Sequence, residues 1–221
     1  MMRSIINLLS AVALCLGLTQ SAAWAGPFVN GAFANFEGWT GAVRDSVTSN
    51  RSLVDPPTGP QFTLMNGGFA KLANDPVNFE VSLFQSFDLD PSAQTLSFDY
   101  QWALTAADPP ADFVQAVLWL AGFTNYIDLF PQPPFDTSAP TGKDTASAAI
   151  GAFAGQSVVL EFLLEDGDFD EADWFAIGNV AIAAAAVPLP PTLVLLLPGL
   201  GLLVRRADWH RAGRRLATLV T

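Results

Sequence analysis

Leu96, Phe98, Tyr100, Trp102 and Leu104 stand at every second position, separated by Ser97, Asp99, Gln101 and Ala103. No other feature constrains the chain as strongly. A period of two sends the large apolar set to one face of a β-strand and the polar set to the other. Val77, Phe79, Val81 and Leu83 repeat the signal, and Val158, Leu160, Phe162 and Leu164 do so again. Shorter runs at 62–64, 69–72, 113–120, 126–130, 146–153 and 174–182 read as further strands. Turn-forming residues divide these runs, as in Asp55-Pro56-Pro57, Asn66-Gly67-Gly68 and Asp108-Pro109-Pro110. Residues 131–140 (PQPPFDTSAP) are too proline-rich for a strand and read as an exposed loop. No amphipathic helical period of useful length interrupts the pattern. The expected body, residues 26–186, is therefore an all-β antiparallel sandwich.

Charge narrows what such a body can meet. Between Gly26 and Ala186 stand twenty carboxylates and only four basic residues, Arg44, Arg51, Lys71 and Lys143, a net charge of −16. A surface this acidic repels phosphate backbones, so nucleic acid is not an expected partner. The lone histidine, His210, lies in the tail and the lone cysteine, Cys15, near the start. The body thus has no Ser–His or Cys–His nucleophile, no disulfide and no imidazole for zinc. Phosphate-loop, HExxH and GxSxG patterns are absent as well. A pair of carboxylates for glycan hydrolysis remains an alternative, but twenty acidic residues make such pairs common by chance. The reading is non-catalytic.

Both ends are apolar. Residues 1–25 have the three parts of a secretory signal: Arg3, the run Ile5–Leu18, and an A-x-A site at Ala23 and Ala25. Secretion machinery is the partner this implies, with export and cleavage after Ala25. Residues 187–206 combine Val187-Pro188-Leu189-Pro190, an uncharged apolar run to Val204, and Arg205-Arg206. As a helix the run from Pro188 to Val204 would rise roughly 25 Å, slightly less than a hydrocarbon core. The arginines would hold residues 207–221 in the cytoplasm. This end resembles the PEP-CTERM sorting signals, in particular the variant opening Val-Pro-Leu-Pro. Pro191 departs from the usual alanine, and the tail runs on to Thr221. The resemblance implies a short transmembrane helix, recognition by an exosortase-type protease, and release to the surface or matrix of a Gram-negative bacterium that makes exopolysaccharide.

Two landmarks bracket the body: Asn30-Gly31-Ala32-Phe33 with Phe36-Glu37-Gly38-Trp39, and Asp173-Trp174-Phe175-Ala176-Ile177-Gly178-Asn179-Val180. They resemble the opening and closing motifs of jelly-roll domains of the carbohydrate-binding-module type, with Gly178 where that family usually has aspartate. The resemblance implies a jelly-roll sandwich associated with exopolysaccharide. A purely structural matrix protein is the other reading. Trp39 and Trp174, near turn residues, are the candidate sugar-stacking rings, whereas Trp102 and Trp119 read as core. The segment 165–173 gathers Asp166, Asp168, Asp170 and Asp173 around Gly167. It reads either as a calcium site or as a solvated turn. Glu171 and Ile177 break the EF-hand pattern.

Overall fold

A computed structural model describes residues 27–104, 113–130, 141–165, 167 and 173–185. The chain divides into units Met1–Ala185 and Ala186–Thr221, and the second lies wholly outside the described residues. The described body is all-β. Its strands are β1 (Thr40–Asp45), β2 (Arg51–Val54), β3 (Phe62–Met65), β4 (Phe69–Ala73), β5 (Asn78–Asp88) and β6 (Ala93–Ala103). They continue with β7 (Phe113–Leu120), β8 (Tyr126–Asp128), β9 (Thr141–Ala149), β10 (Ser157–Glu165) and β11 (Trp174–Ala184).

Six strands form one sheet in the order β2-β1-β5-β10-β7-β8, and five form the other in the order β3-β4-β11-β6-β9. Every pairing is antiparallel. From β4 onward the chain passes from sheet to sheet at almost every connection, the β7–β8 hairpin excepted. That alternation is the jelly-roll pattern expected from the sequence.

The alternating set on β6 points inward as its period requires. Leu96, Phe98, Tyr100, Trp102 and Leu104 are all buried, facing Val81, Leu83, Leu160 and Phe162 of the other sheet. Ring contacts knit the layers together, with Phe98 and Phe162 perpendicular at 5.0 Å and Tyr100 stacked on Trp102 at 5.6 Å.

Three segments differ from the sequence expectation. Strands β1 and β2 carry no clean apolar alternation: Val43 and Val54 pack on the core, whereas β1 also holds Ala42 and Arg44 and β2 exposes Ser52 and Leu53. β9 occupies Thr141–Ala149 in place of 146–153, and residues Gly151–Phe153 form a 3-10 turn. Its inner residues are small because Trp102 lies across them: a Cβ on Gly142 would sit 2.1 Å from the indole Cζ2. A strand whose inner face is filled by its neighbour's indole has no hydrophobic period to read. β8 ends at Asp128, two residues early.

The two landmark motifs meet. Asn30 adopts a positive φ, its Nδ2 donates to the Asn35 carbonyl at 2.6 Å, and its own carbonyl accepts from the Trp39 indole at 3.3 Å. Val180 N–H donates to the Gly31 carbonyl at 2.9 Å, which ties the opening turn to β11. A Cβ on Gly31 would lie 2.1 Å from the Val180 carbonyl oxygen, so only glycine permits this approach.

Candidate functional site

Outward-facing residues of the five-stranded sheet form rows fixed by register. One row runs Thr63, Lys71, Ala176, Gln101, Lys143; the next runs Met65, Phe69, Gly178, Asp99, Thr145; a third runs Ala73, Trp174, Ala103, Thr141. Small residues of β11, Ala176 and Gly178, are buried between the larger side chains of β4 and β6. A cavity of about 380 Å³ opens over β6 and β9, lined by Phe69, Asp99, Tyr100, Gln101, Lys143, Asp144 and Thr145.

Phe69 lies over Gly178. A Cβ at that position would come within 2.9 and 3.0 Å of the ring and 2.8 Å of the Gly68 carbonyl oxygen. The glycine that replaces the expected aspartate thus gives the phenyl ring its place on the sheet. Trp174 is half-buried two rows away, beyond Lys71, whose ammonium lies 5.2 Å from the indole centroid. Asp99 accepts from the Thr145 hydroxyl at 2.6 Å and from Asn179 Nδ2 at 2.7 Å. Those two donors hold its carboxyl below the usual carboxylate range, against a small opposing effect of burial. The face therefore offers an aromatic ring, an ionised acceptor, a carboxamide, hydroxyls and ammonium groups around one depression. Sequence reasoning missed Phe69, Lys71, Gln101 and Lys143. The polar half of the β6 alternation was the only signal, and it becomes informative once β4 and β9 are known to flank β11 and β6.

The outer face of the six-stranded sheet is built differently. Ala42, Phe84, Val117, Trp119 and Val159 form a second buried apolar cluster there. Arg51 donates to Ser82 at 2.8 Å and to Glu161 at 2.9 Å, and the Trp119 indole donates to the other Glu161 oxygen at 3.1 Å. Arg44 Nε lies 3.2 Å from Glu80, close in charge but poorly aligned as a hydrogen bond. Burial pushes the Glu80 carboxyl up more than Arg44 and Arg51 hold it down, and burial likewise raises Glu165 against Arg44.

Trp39 requires a correction. It is 1% exposed, packed 4.9 Å from Phe33 and 6.1 Å from Phe28 and Phe162, so it presents no ring face to a sugar. The Gly38 turn beside it in sequence is exposed, but the indole itself points inward. Asp173 is buried at the head of β11. Asp166, Asp168 and Asp170 lie outside the described residues. So do Ala23, Ala25, Val187, Pro188, Leu189, Pro190, Arg205 and Arg206. Among the described residues no helix is long and apolar enough to cross a membrane.

No protein-family model matches the chain, and no curated protein matches it in sequence. Solved structures similar to it include a xylan-binding module, CBM15, at 14% identity and a TM-score of 0.40, covering 69% of this chain and 93% of that one. A CBM61 module in complex with β-1,4-galactotriose gives 10% identity and 0.40, covering 72% and 98%. The K3 cleaved adhesin domain of Lys-gingipain from Porphyromonas gingivalis gives 19% and 0.38, covering 73% and 98%. Likeness at this level carries neither ligand nor activity across, and the case for any site rests on this chain's own residues.

Proposed function

We propose that the body is a non-catalytic saccharide-binding domain, exported and associated with exopolysaccharide, and that the outer face of the five-stranded sheet is its binding surface. One observation carries the reading: the Phe69 ring rests against Gly178 and lines a cavity together with Asp99, Gln101, Lys143 and Thr145. A pyranose has an apolar face that suits an aromatic ring and a rim of hydroxyls that need both donors and acceptors. Asp99, ionised and fixed by two donors, suits an acceptor and not a general acid. Trp174 extends the same surface and is the sequence candidate retained.

Export through the N-terminal signal and sorting through an exosortase-type protease complete the proposal, on the residues named for each. A calcium ion held by the segment Asp166–Asp173 belongs to it as well. Support comes from Asn74, next to the β4–β11 register beside Asp173: it is 6% exposed, and both its carboxamide atoms are buried without a hydrogen-bond partner. Such a group suits an oxygen-seeking cation.

Affinity electrophoresis through gels cast with xylan, β-1,4-galactan or polygalacturonate tests the binding. Retardation in at least one gel, reduced by Phe69→Ala and by Trp174→Ala, is expected. Unretarded migration of folded wild-type protein in all three overturns the reading.

A further inference from the structure

The four basic residues of the body divide evenly between the two outer faces. Arg44 and Arg51 lie on the six-stranded sheet, each beside a glutamate, at 3.2 Å from Glu80 and 2.9 Å from Glu161. Lys71 and Lys143 lie on the five-stranded sheet, and among the described residues neither forms an ion pair. In a body with twenty carboxylates this separation is informative. Among the described residues, the cations of one face are ion-paired and those of the other are not, although Asp99 and Asp144 share the cavity lining with Lys143.

Register puts the two lysines in a single row. Lys71 is opposite Ala176, Ala176 opposite Gln101, and Gln101 opposite Lys143. Three strand spacings separate their backbones, roughly 14 Å. Two carboxylates share the cavity with Lys143: Asp99, fixed by Thr145 and Asn179 in the next row, and Asp144, which accepts from the Thr145 N–H. The Lys71 ammonium rests over the Trp174 ring, a contact weaker than a good ion pair and easily exchanged for one. Lys143 lines the cavity in which the proposed sugar would lie, and Lys71 stands across Gln101 and Ala176 from it in the same row.

We infer that this face takes an acidic saccharide, a polysaccharide bearing uronic-acid carboxylates, with Lys71 and Lys143 meeting those carboxylates while Phe69 stacks on a ring. The inference rests on the binding surface proposed above and names its ligand class. The net charge of −16 opposes a polyanion only at long range. At 0.15 M salt the screening length is about 8 Å, so the charges of the face itself dominate, whereas at 0.01 M it is about 30 Å and the whole acidic body acts. Binding to a polyuronate is therefore strongest at intermediate salt. It is weaker below that range through global repulsion and weaker near 1 M through screening of the lysine contacts.

Hexagalacturonate and its fully methyl-esterified form share one sugar backbone and differ at the carboxyl groups, charged in the first and neutral and methylated in the second; they serve as the probes, with calorimetry as the readout. The acid is expected to bind about 2- to 30-fold more tightly than the ester, the range that two exposed ion pairs supply. A Lys71→Gln/Lys143→Gln double variant removes the preference for the acid, bringing the acid-to-ester affinity ratio to one or below. Phe69→Ala weakens both. Equal or tighter binding of the ester overturns the inference, as does a preference for the acid that survives loss of both lysines. Retardation by xylan or galactan alone, with no binding of either hexamer, overturns the acidic-ligand inference and leaves the binding surface standing. Failure in every gel and with both hexamers removes the surface too.

Discussion

Gly178→Ala probes the surface without reference to any ligand. The added methyl would sit 2.8 Å from the Gly68 carbonyl oxygen and 2.9 to 3.0 Å from two carbons of the Phe69 ring. Gly67 and Gly68 form a turn with φ values of +90° and +78°, so the carbonyl has little freedom to retreat. The ring has more, and lifting it off the sheet is the cheaper relief. Overpacking of this kind costs about 1–3 kcal/mol. In a Phe69→Ala background the ring contacts vanish and only the carbonyl contact remains, so the same methyl should cost about 1 kcal/mol less. For a body of this size each kcal/mol moves the melting temperature by roughly 2–4 °C. The coupling is therefore measurable from four melting curves or four urea titrations. Equal cost of Gly178→Ala in both backgrounds would show that the ring does not rest on Gly178. The aromatic platform, and with it the argument for a sugar face, would then be refuted.

The opposite face gives a second cycle. Arg51→Leu leaves Glu161, 6% exposed, with only the Trp119 indole as partner, and is expected to cost about 2–4 kcal/mol in urea denaturation. Arg51→Leu/Glu161→Leu should recover most of that loss, and strictly additive effects would rule the coupling out. Titration separates two groups of carboxyls. Glu80 and Glu165 are raised by burial, so each favours the folded state as pH falls from neutrality through the window above the ordinary glutamate range. Asp75, where partial burial is outweighed by the Asn78 and Val77 N–H groups that donate to it, and Asp99, held by Thr145 and Asn179, are both lowered and withdraw stability as pH falls below the ordinary aspartate range. Thermal scans should therefore show greater stability near pH 4.5 than at pH 7, and a steep loss below about pH 3. Maximum stability at or above neutrality would contradict this sign. Trp39→Ala should cost about 3–5 kcal/mol, whereas Trp39→Phe should leave polysaccharide retardation intact. Weakened retardation in a folded Trp39→Phe protein would return that indole to the binding surface. Terminal sequencing of the secreted protein should begin at Gly26.

The sandwich was readable wherever large inward groups alternate with polar ones. β6 does so with a half-exposed outer face, whereas β5 and β10 keep the period because buried polar groups, Glu80, Ser82 and Glu161, stand between their inward apolar ones. Legibility fails where packing breaks that rule. β1 contributes Ala42 to an apolar cluster on the outer face, so its residues 40–45 carry no alternation. β9 rests on the Trp102 indole and keeps only small inner residues. The candidate surface was legible at one residue, Trp174, and misread at Trp39 for a physical reason. A tryptophan beside a Gly turn can close the end of the core as readily as flank a loop, and here its indole N–H finds the Asn30 carbonyl inside the opening motif. Phe69 and the two lysines were invisible because their significance comes from pairing across β4, β11, β6 and β9, four strands that are scattered in sequence.

Those four strands also account for the difference between the two outer faces. On the six-stranded sheet, central β5 and β10 carry Glu80 and Glu161 opposite arginines from edge-side β1 and β2, and the charges cancel within the layer. Together with the apolar cluster of Phe84, Val117, Trp119 and Val159, the result is a surface closed on itself. On the five-stranded sheet, central β11 contributes Ala176 and Gly178, which cannot reach any neighbour, and the cations sit on β4 and on edge strand β9, too far apart to share one small anion. A row of charges this widely spaced, over residues this small, suits an extended ligand that crosses strands and meets both lysines. Filling the cavity is the sharpest way to separate the two faces: Gln101→Trp, at a residue that lines it, should block saccharide binding while leaving the Arg51–Glu161 coupling energy unchanged. A folded Gln101→Trp protein retarded as strongly as the wild type would place the ligand elsewhere.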